Sequence, residues 1–191
     1  MIATAPRPQE SALERYSRGA IWLHWIIAAL IVANLTLGLY HEDFGKAARA
    51  PIMAFHKATG LTILALSCGR LVWRFGHRPP AFDAALLWWE VILARAAHAL
   101  FYVLMIGIPL TGWLAVSAND RATSFFGLFD IGPLPFPRGK GPHEIWEEVH
   151  GIAGKVMIGL IVLHVAGALK HHLQGHRHLI GRMAPWAGRR R

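Results

Sequence analysis

Four apolar stretches, each near the length needed to cross a lipid bilayer, dominate this chain. They are "AIWLHWIIAALIVANLTLGLY" (Ala20 to Tyr40), "IMAFHKATGLTILALSCGRLVW" (Ile52 to Trp73), "HALFYVLMIGIPLTGWLAV" (His98 to Val116) and "HGIAGKVMIGLIVLHVAGAL" (His150 to Leu169). About 20 apolar residues span the hydrocarbon layer as a helix. Lipid offers the backbone no hydrogen bonds, so each stretch must close its own, which a helix does. Lys57 and Arg70 lie near the ends of the second stretch, where long stems carry their charges to the interface, and Pro109 is a tolerated kink in the third. Composition agrees: 54% of the 191 residues are hydrophobic and only 16% charged, too apolar for a soluble domain of this size. The expected fold is all-α, a transmembrane four-helix bundle.

Charge orients it. Grouping both termini with the loop between the second and third spans collects 13 of the 20 Lys and Arg with four acids, against seven bases and seven acids on the other side. The positive-inside rule then places both termini in the cytoplasm, and an even number of spans agrees in putting them on one side. The formal charge of +9 is thus distributed over tails and short loops that flank membrane spans, which argues against a nucleic-acid partner and for the lipid bilayer. The first apolar run, at 21 residues, exceeds a signal-peptide core and is followed by no small-residue cleavage site, so it is expected to stay as a helix. One domain suffices: a cytoplasmic segment 1–19, the four-helix unit 20–170 and a basic cytoplasmic tail 171–191.

The connections read in outline. "HEDFGKAARAP" is a short outer loop. "GHRPPAFDAALLWWEVILARAA" begins with two prolines that stop the second helix, and its part from Asp83 to Ala96 reads as an interfacial helix or an extension of the third span. Asn119 to Glu148 is the longest loop, rich in Gly, Pro and aromatics, with "PHEIWEE" a short polar helix leading into span four. Cys68 is the only cysteine, so neither an intrachain disulfide nor a covalent haem attachment exists.

The histidines carry the chemistry. His150 and His164 are fourteen residues apart on one helix. At 1.5 Å and 100° per residue they stand about 21 Å apart along the axis and within about 40° of one face. With alternating span directions, His24 lies one turn from the inner end of span one and His56 one turn from the outer end of span two. Depth therefore pairs His24 with His164 inside and His56 with His150 outside. Intramembrane ionisable residues are costly and usually functional. Two bis-histidine sites stacked across a bundle suit two non-covalent haem groups, each iron taking one imidazole from each of two facing helices. Gly60, Gly151, Gly154 and Gly167 are expected to leave room for the haem macrocycle beside the helix backbone, and Lys57 and Lys155 outside, with Arg18, Arg70 and Arg74 inside, to meet haem propionates.

His98 lies at the depth of His24 and competes with it for His164; His24 is the preferred ligand, leaving His98 as a hydrogen-bonding neighbour or part of a quinone site. His171, His172, His176 and His178 fall in the basic tail, and His41, His77 and His143 in loops. Trp22, Trp25, Trp73, Trp88 and Trp89 cluster at span ends as an aromatic belt.

"YSRGAIWLHW", "FHKATGLTILALSCGRLVWRF", "HALFYVLMIGIPLTGW" and "HGIAGKVMIGLIVLHVAGALKHH", in that order, resemble the bacterial cytochrome b561 family, relatives of the cytochrome b subunits of nickel hydrogenases and formate dehydrogenases, over about residues 15 to 184. The resemblance implies a four-helix cytochrome with two haem b groups in the inner membrane that exchanges electrons with ubiquinone. In the formate dehydrogenase subunit, spans one and four hold one haem and spans two and four the other. Carried onto this chain, that pattern gives His24 with His164 and His56 with His150. Some stand-alone members oxidise superoxide at the outer face, with a positive surface guiding the anion. Here the outer segments are balanced in charge, leaving Lys57, Lys155, Arg121, Arg138 and Lys140 to focus it locally.

The expected function is thus an oxidoreductase passing electrons from superoxide or a periplasmic redox partner to ubiquinone. His98 or Glu90 offers a proton route for quinone reduction. Two other readings stand beside it: a membrane anchor for a hydrogenase-like or dehydrogenase complex, and a haem-free transporter lined by the same histidines.

Overall fold

The computed structural model describes residues 15–77, 79–82 and 86–184. Residues 1–14 of the expected N-terminal segment, residues 185–191 of the tail, Arg78, and Asp83 to Ala85 of the expected interfacial stretch lie outside these. The chain builds α1 (Arg18–Tyr40), α2 (Lys46–Gly76), α3 (Trp88–Ala118), a hairpin of β1 (Thr123–Phe125) and β2 (Phe129–Ile131), α4 (Lys140–Leu173) and the short α5 (Arg177–Gly181). The first four helices are all long and apolar enough to cross a membrane.

Three helices outrun their apolar stretches. α2 starts at Lys46, directly after Gly45 at φ 79°, and takes in most of the expected outer loop. Lys46 to Arg49 are good helix formers, and Pro51 falls early enough in the helix to remove a single backbone hydrogen bond. α3 begins at Trp88, so the Trp-rich segment is an extension of span three; the Glu90 carboxylate accepts from the Leu87 N–H (3.0 Å) at its start. "PHEIWEE" forms the opening turns of α4 rather than a separate helix, because no breaker separates it from the apolar run. α1 starts where the Ser17 hydroxyl accepts from the Ala20 N–H (3.3 Å).

The start of α1, the end of α2, the start of α3 and the end of α4 with α5 share one end of the bundle, here the tail end; the β-hairpin marks the other, the hairpin end. Consecutive helices pack side by side: α1 on α2, α2 on α3, α3 on α4. Among the described residues α4 makes no comparable backbone contact with α1 or α2, so those helices face each other across a gap bridged by side chains. Mid-bundle, Ile27, Ile31, Ile63, Met105 and Met157 form a buried cluster to which all four helices contribute. Outward-facing Val32, Val103, Val162 and Leu163 are exposed, as lipid contact requires. Trp22, Trp25, Trp73, Trp88 and Trp89 are exposed around the tail end.

The hairpin pairs Thr123 with Ile131 and Phe125 with Phe129. Its tip turns through Phe126 (φ 52°) and Gly127 (φ 75°), and Phe126 packs on Phe55 of α2 with ring centroids 5.4 Å apart. Strands of three residues are too short for an alternation visible in sequence, so this segment reads only as loop.

Candidate functional site

At the hairpin end, the imidazoles of His56 (α2) and His150 (α4) face each other with ring centroids 6.0 Å apart. His56 Nδ1 lies 3.1 Å from the Asn34 carbonyl oxygen, and His150 Nδ1 lies 2.9 Å from that of Ile108. A carbonyl only accepts, so in both rings Nδ1 is the donor, which makes Nε2 the nitrogen available to a metal. This is the state in which an imidazole binds a metal while its other nitrogen is held by the protein.

Two glycines permit this. A Cβ on Gly38 would stand 3.0 Å from His56 Cε1, and one on Gly112 would stand 3.0 Å from Cε1 and 3.1 Å from Nδ1 of His150. Each glycine lies one helical turn beyond the carbonyl that its histidine meets: Gly38 after Asn34, Gly112 after Ile108. A side chain there would fill the groove the ring occupies. Thr111 also donates to the Ile108 carbonyl (2.8 Å) and sits 3.4 Å from His150 Nδ1.

At the tail end three imidazoles converge. His24 (α1) and His164 (α4) have ring centroids 6.4 Å apart; His98 (α3) is 5.8 Å from His164, and Phe101 packs edge-on to His164 at 5.3 Å. His24 Nδ1 faces not a carbonyl but the guanidinium of Arg70, with Nη1 at 3.3 Å.

The two sites lie on one side of α4, separated by fourteen residues or about 21 Å. Met157, midway between the two α4 histidines and 2% exposed, belongs to the apolar cluster that fills the space between the sites.

Both ring separations are those of two imidazoles flanking one metal: two bonds of about 2 Å, plus the distance from each nitrogen to its ring centre, add up to about 6 Å. The α1–α4 and α2–α4 pairs reach across the gap in the bundle. His98 sits on α3, whose backbone packs along α4 and leaves no comparable space between them.

Other residues singled out in the sequence fall elsewhere. A Cβ on Gly151 or Gly167 would meet nothing within 4 Å, one on Gly60 would meet Asn34 at 3.7 Å, and one on Gly154 would meet Leu35 at 4.0 Å, so none of these four cradles an imidazole. Arg74 lies over the Tyr102 ring (5.9 Å), while Arg18 and Lys155 are exposed. His41 Nδ1 contacts the Gly38 carbonyl and His143 Nδ1 that of Ala115, both at 2.9 Å, and His77 stacks on Trp73 at 4.0 Å. Glu90 pairs with Lys170 (2.7 Å), joining the tail-end termini of α3 and α4, with His171 3.9 Å away. Gly38 and Gly112 stand out only in the packed bundle. Their signal is depth: each lies at the same level of its span as the histidine it admits.

The family model described as prokaryotic cytochrome b561 matches residues 15–186. Cytochrome b561 homolog 2 of Escherichia coli K12 is 28% identical over 163 residues, covering 83% of this chain and 85% of that protein. Cytochrome b561 homolog 1 of the same organism is 23% identical over 181 residues, covering 91% and 98%. A Yersinia pestis protein named probable superoxide oxidase CybB is 24% identical over 173 residues, covering 90% and 97%. With four membrane-spanning helices and a family match along nearly its whole length, this chain is a multi-pass protein of the bacterial inner membrane and belongs to the prokaryotic cytochrome b561 family.

Proposed function

We propose that this protein carries two haem b groups, one between His24 and His164 and one between His56 and His150, and conducts electrons across the membrane to ubiquinone. Family membership implies haem b and membrane electron transfer. The observation that carries the reading of two sites is the pair of facing imidazoles at each end of the bundle, 6.4 and 6.0 Å apart and sharing α4. When bound, haem iron supplies a one-electron couple whose potential the surrounding protein tunes. His24, His164, His56 and His150 would hold the iron through their imidazole nitrogens. Gly38 and Gly112 let two of those rings seat against backbone carbonyls, and the Ile27, Ile31, Ile63 and Met157 layer keeps water out between the sites.

The tail end is the cytoplasmic face in this reading, supported by the 13 Lys and Arg that the sequence groups in the terminal segments and the connection between the second and third spans. Electrons enter at the hairpin end. Superoxide is the donor we favour, on the strength of the Yersinia pestis relative's name and of the similar extent of the two chains. The protein need supply no acid or base for the electron step itself, while His98, exposed beside His164, is placed to serve a quinone.

The test is optical. Purified protein reduced anaerobically should show a b-type spectrum that is bleached by a water-soluble ubiquinone analogue and restored by an enzymatic superoxide source. A spectrum without b-type bands would remove the cytochrome reading. Bands indifferent to the quinone would remove the quinone, and bands that superoxide does not restore would remove that donor.

A further inference from the structure

The tip of the β1–β2 hairpin reads "FFGLF", Phe125 to Phe129, without a polar side chain. Polar residues return one rung back, where Ser124 pairs with Asp130. A turn that faces water is usually built from polar residues. The two positive-φ positions, Phe126 (φ 52°) and Gly127 (φ 75°), would ordinarily carry Asn or Asp and then Gly. A phenyl ring in place of the polar residue therefore answers to its surroundings, not to the turn. Leu128 is 78% exposed and Phe129 56%, and Phe126 is exposed beside them. Apolar side chains left bare together mark a contact surface.

Depth says what that surface meets. Phe126 packs on Phe55 of α2, itself exposed, with ring centroids 5.4 Å apart. Phe55 lies three residues inside the apolar stretch that starts at Ile52, or about 5 Å at 1.5 Å per residue. The tip thus reaches the boundary between headgroups and acyl chains, where interfacial elements bury their apolar faces by about 5–10 Å. Through Phe55 it is continuous with the lipid-facing side of α2. Between hairpin and helix lies a groove of about 470 Å³ lined by Pro51, Ala54, Phe55, Ser124, Phe126 and Gly127, apolar except for the Ser124 hydroxyl. The aromatic anchors are also uneven: among the described residues every exposed Trp stands at the tail end, which leaves the hairpin end to Tyr40 and to phenyl rings such as Phe126 and Phe129. The two-stranded sheet has unpaired outer backbone groups, which water among headgroups satisfies and hydrocarbon does not, so the tip stops in that layer.

We propose that the hairpin tip is seated in the lipid leaflet at the hairpin end, with Phe126, Leu128 and Phe129 among the outermost acyl methylenes and a lipid chain filling the groove against α2. The surface serves lipid, not a soluble partner or a second copy of this chain. This goes beyond the redox reading and depends on the four spans, not on the histidine pairs.

The experiment places a nitroxide on single cysteines of the purified full chain, in a Cys68→Ala background, reconstituted into phosphatidylcholine and phosphatidylglycerol vesicles. Collisions with oxygen, which concentrates in acyl chains, are compared with collisions with a neutral nickel chelate, which stays in water. Val103→Cys, exposed at the middle of α3, gives the lipid reference, and Glu144→Cys, exposed in the opening turns of α4, the water reference. Leu128→Cys should give an oxygen-to-chelate ratio several-fold above that of Glu144→Cys and below that of Val103→Cys. Phe129→Cys carries the same expectation if a label at residue 128 prevents insertion. A ratio equal to that of Glu144→Cys overturns the inference, because the tip then stands in water as a docking face for a soluble partner would. Few collisions with either reagent overturn it as well, because protein then covers the tip; shielding that is lost when the chain is diluted in lipid would identify a second copy as the cover.

Discussion

His150 occupies the space that a side chain at residue 112 would fill: a Cβ on Gly112 would stand 3.0 Å from its Cε1. That relationship joins α3 to α4, because the same ring reaches the Ile108 carbonyl at 2.9 Å. Gly112→Ala must therefore press on the His150 imidazole, not merely tighten a helix contact. The variant is expected to insert and fold but to bind the hairpin-end haem at least tenfold more weakly than wild type. Haem release to an apoprotein acceptor, followed optically, measures this; unchanged release would show that the ring has room to move.

Gly38→Ala makes the same test on the facing imidazole, since its Cβ would stand 3.0 Å from His56 Cε1. Gly151→Ala is the control, with nothing within 4 Å of its Cβ. Haem content should fall in the first and stay at the wild-type value in the second.

His24 and His98 both stand within reach of His164, at ring separations of 6.4 and 5.8 Å. Space distinguishes them, because α1 faces α4 across a gap whereas α3 packs along it. His24→Ala should lose one haem per chain, and His98→Ala should keep both while slowing reoxidation by the ubiquinone analogue. The reverse haem counts would make His98 the ligand.

Met157 is 2% exposed and lies between the two sites. Replacing it by Ala removes packing that each of the other three spans touches, at a cost of about 2–5 kcal/mol for a buried Met→Ala change. Reversible unfolding in detergent should show that loss, with both haems still present at low denaturant.

Ser117 is fully buried, donates to the Trp113 carbonyl (2.7 Å) and accepts from the Leu134 N–H (3.0 Å). It thereby ties the segment after the hairpin to α3. Ser117→Ala leaves that N–H without its partner, worth about 1–3 kcal/mol. A lower thermal midpoint with unchanged haem spectra is expected.

The sequence carries the spans and the depth of each histidine, because lipid fixes length and helix geometry fixes rise. The fourteen-residue interval from His150 to His164 alone puts one imidazole near each end of a single face. What it does not carry is lateral: hydropathy is the same whether α4 lies beside α3 or α1, so the choice between His24 and His98 stays open until the helices are packed. The glycines that seat the imidazoles are hidden for a related reason. A membrane helix uses glycine for many close approaches, and only the packed bundle shows that Gly38 and Gly112, rather than Gly60, Gly151, Gly154 or Gly167, face imidazole rings. The extension of α2 back to Lys46 was masked by its polarity: hydropathy marks where a helix meets lipid, not where it ends.

Haem counted per polypeptide is the direct test of two haems on one shared helix. Wild type should hold two, His150→Ala and His164→Ala one each with distinct residual spectra, and the double variant none. A single substitution that removes both haems from a folded chain, or neither, would contradict it.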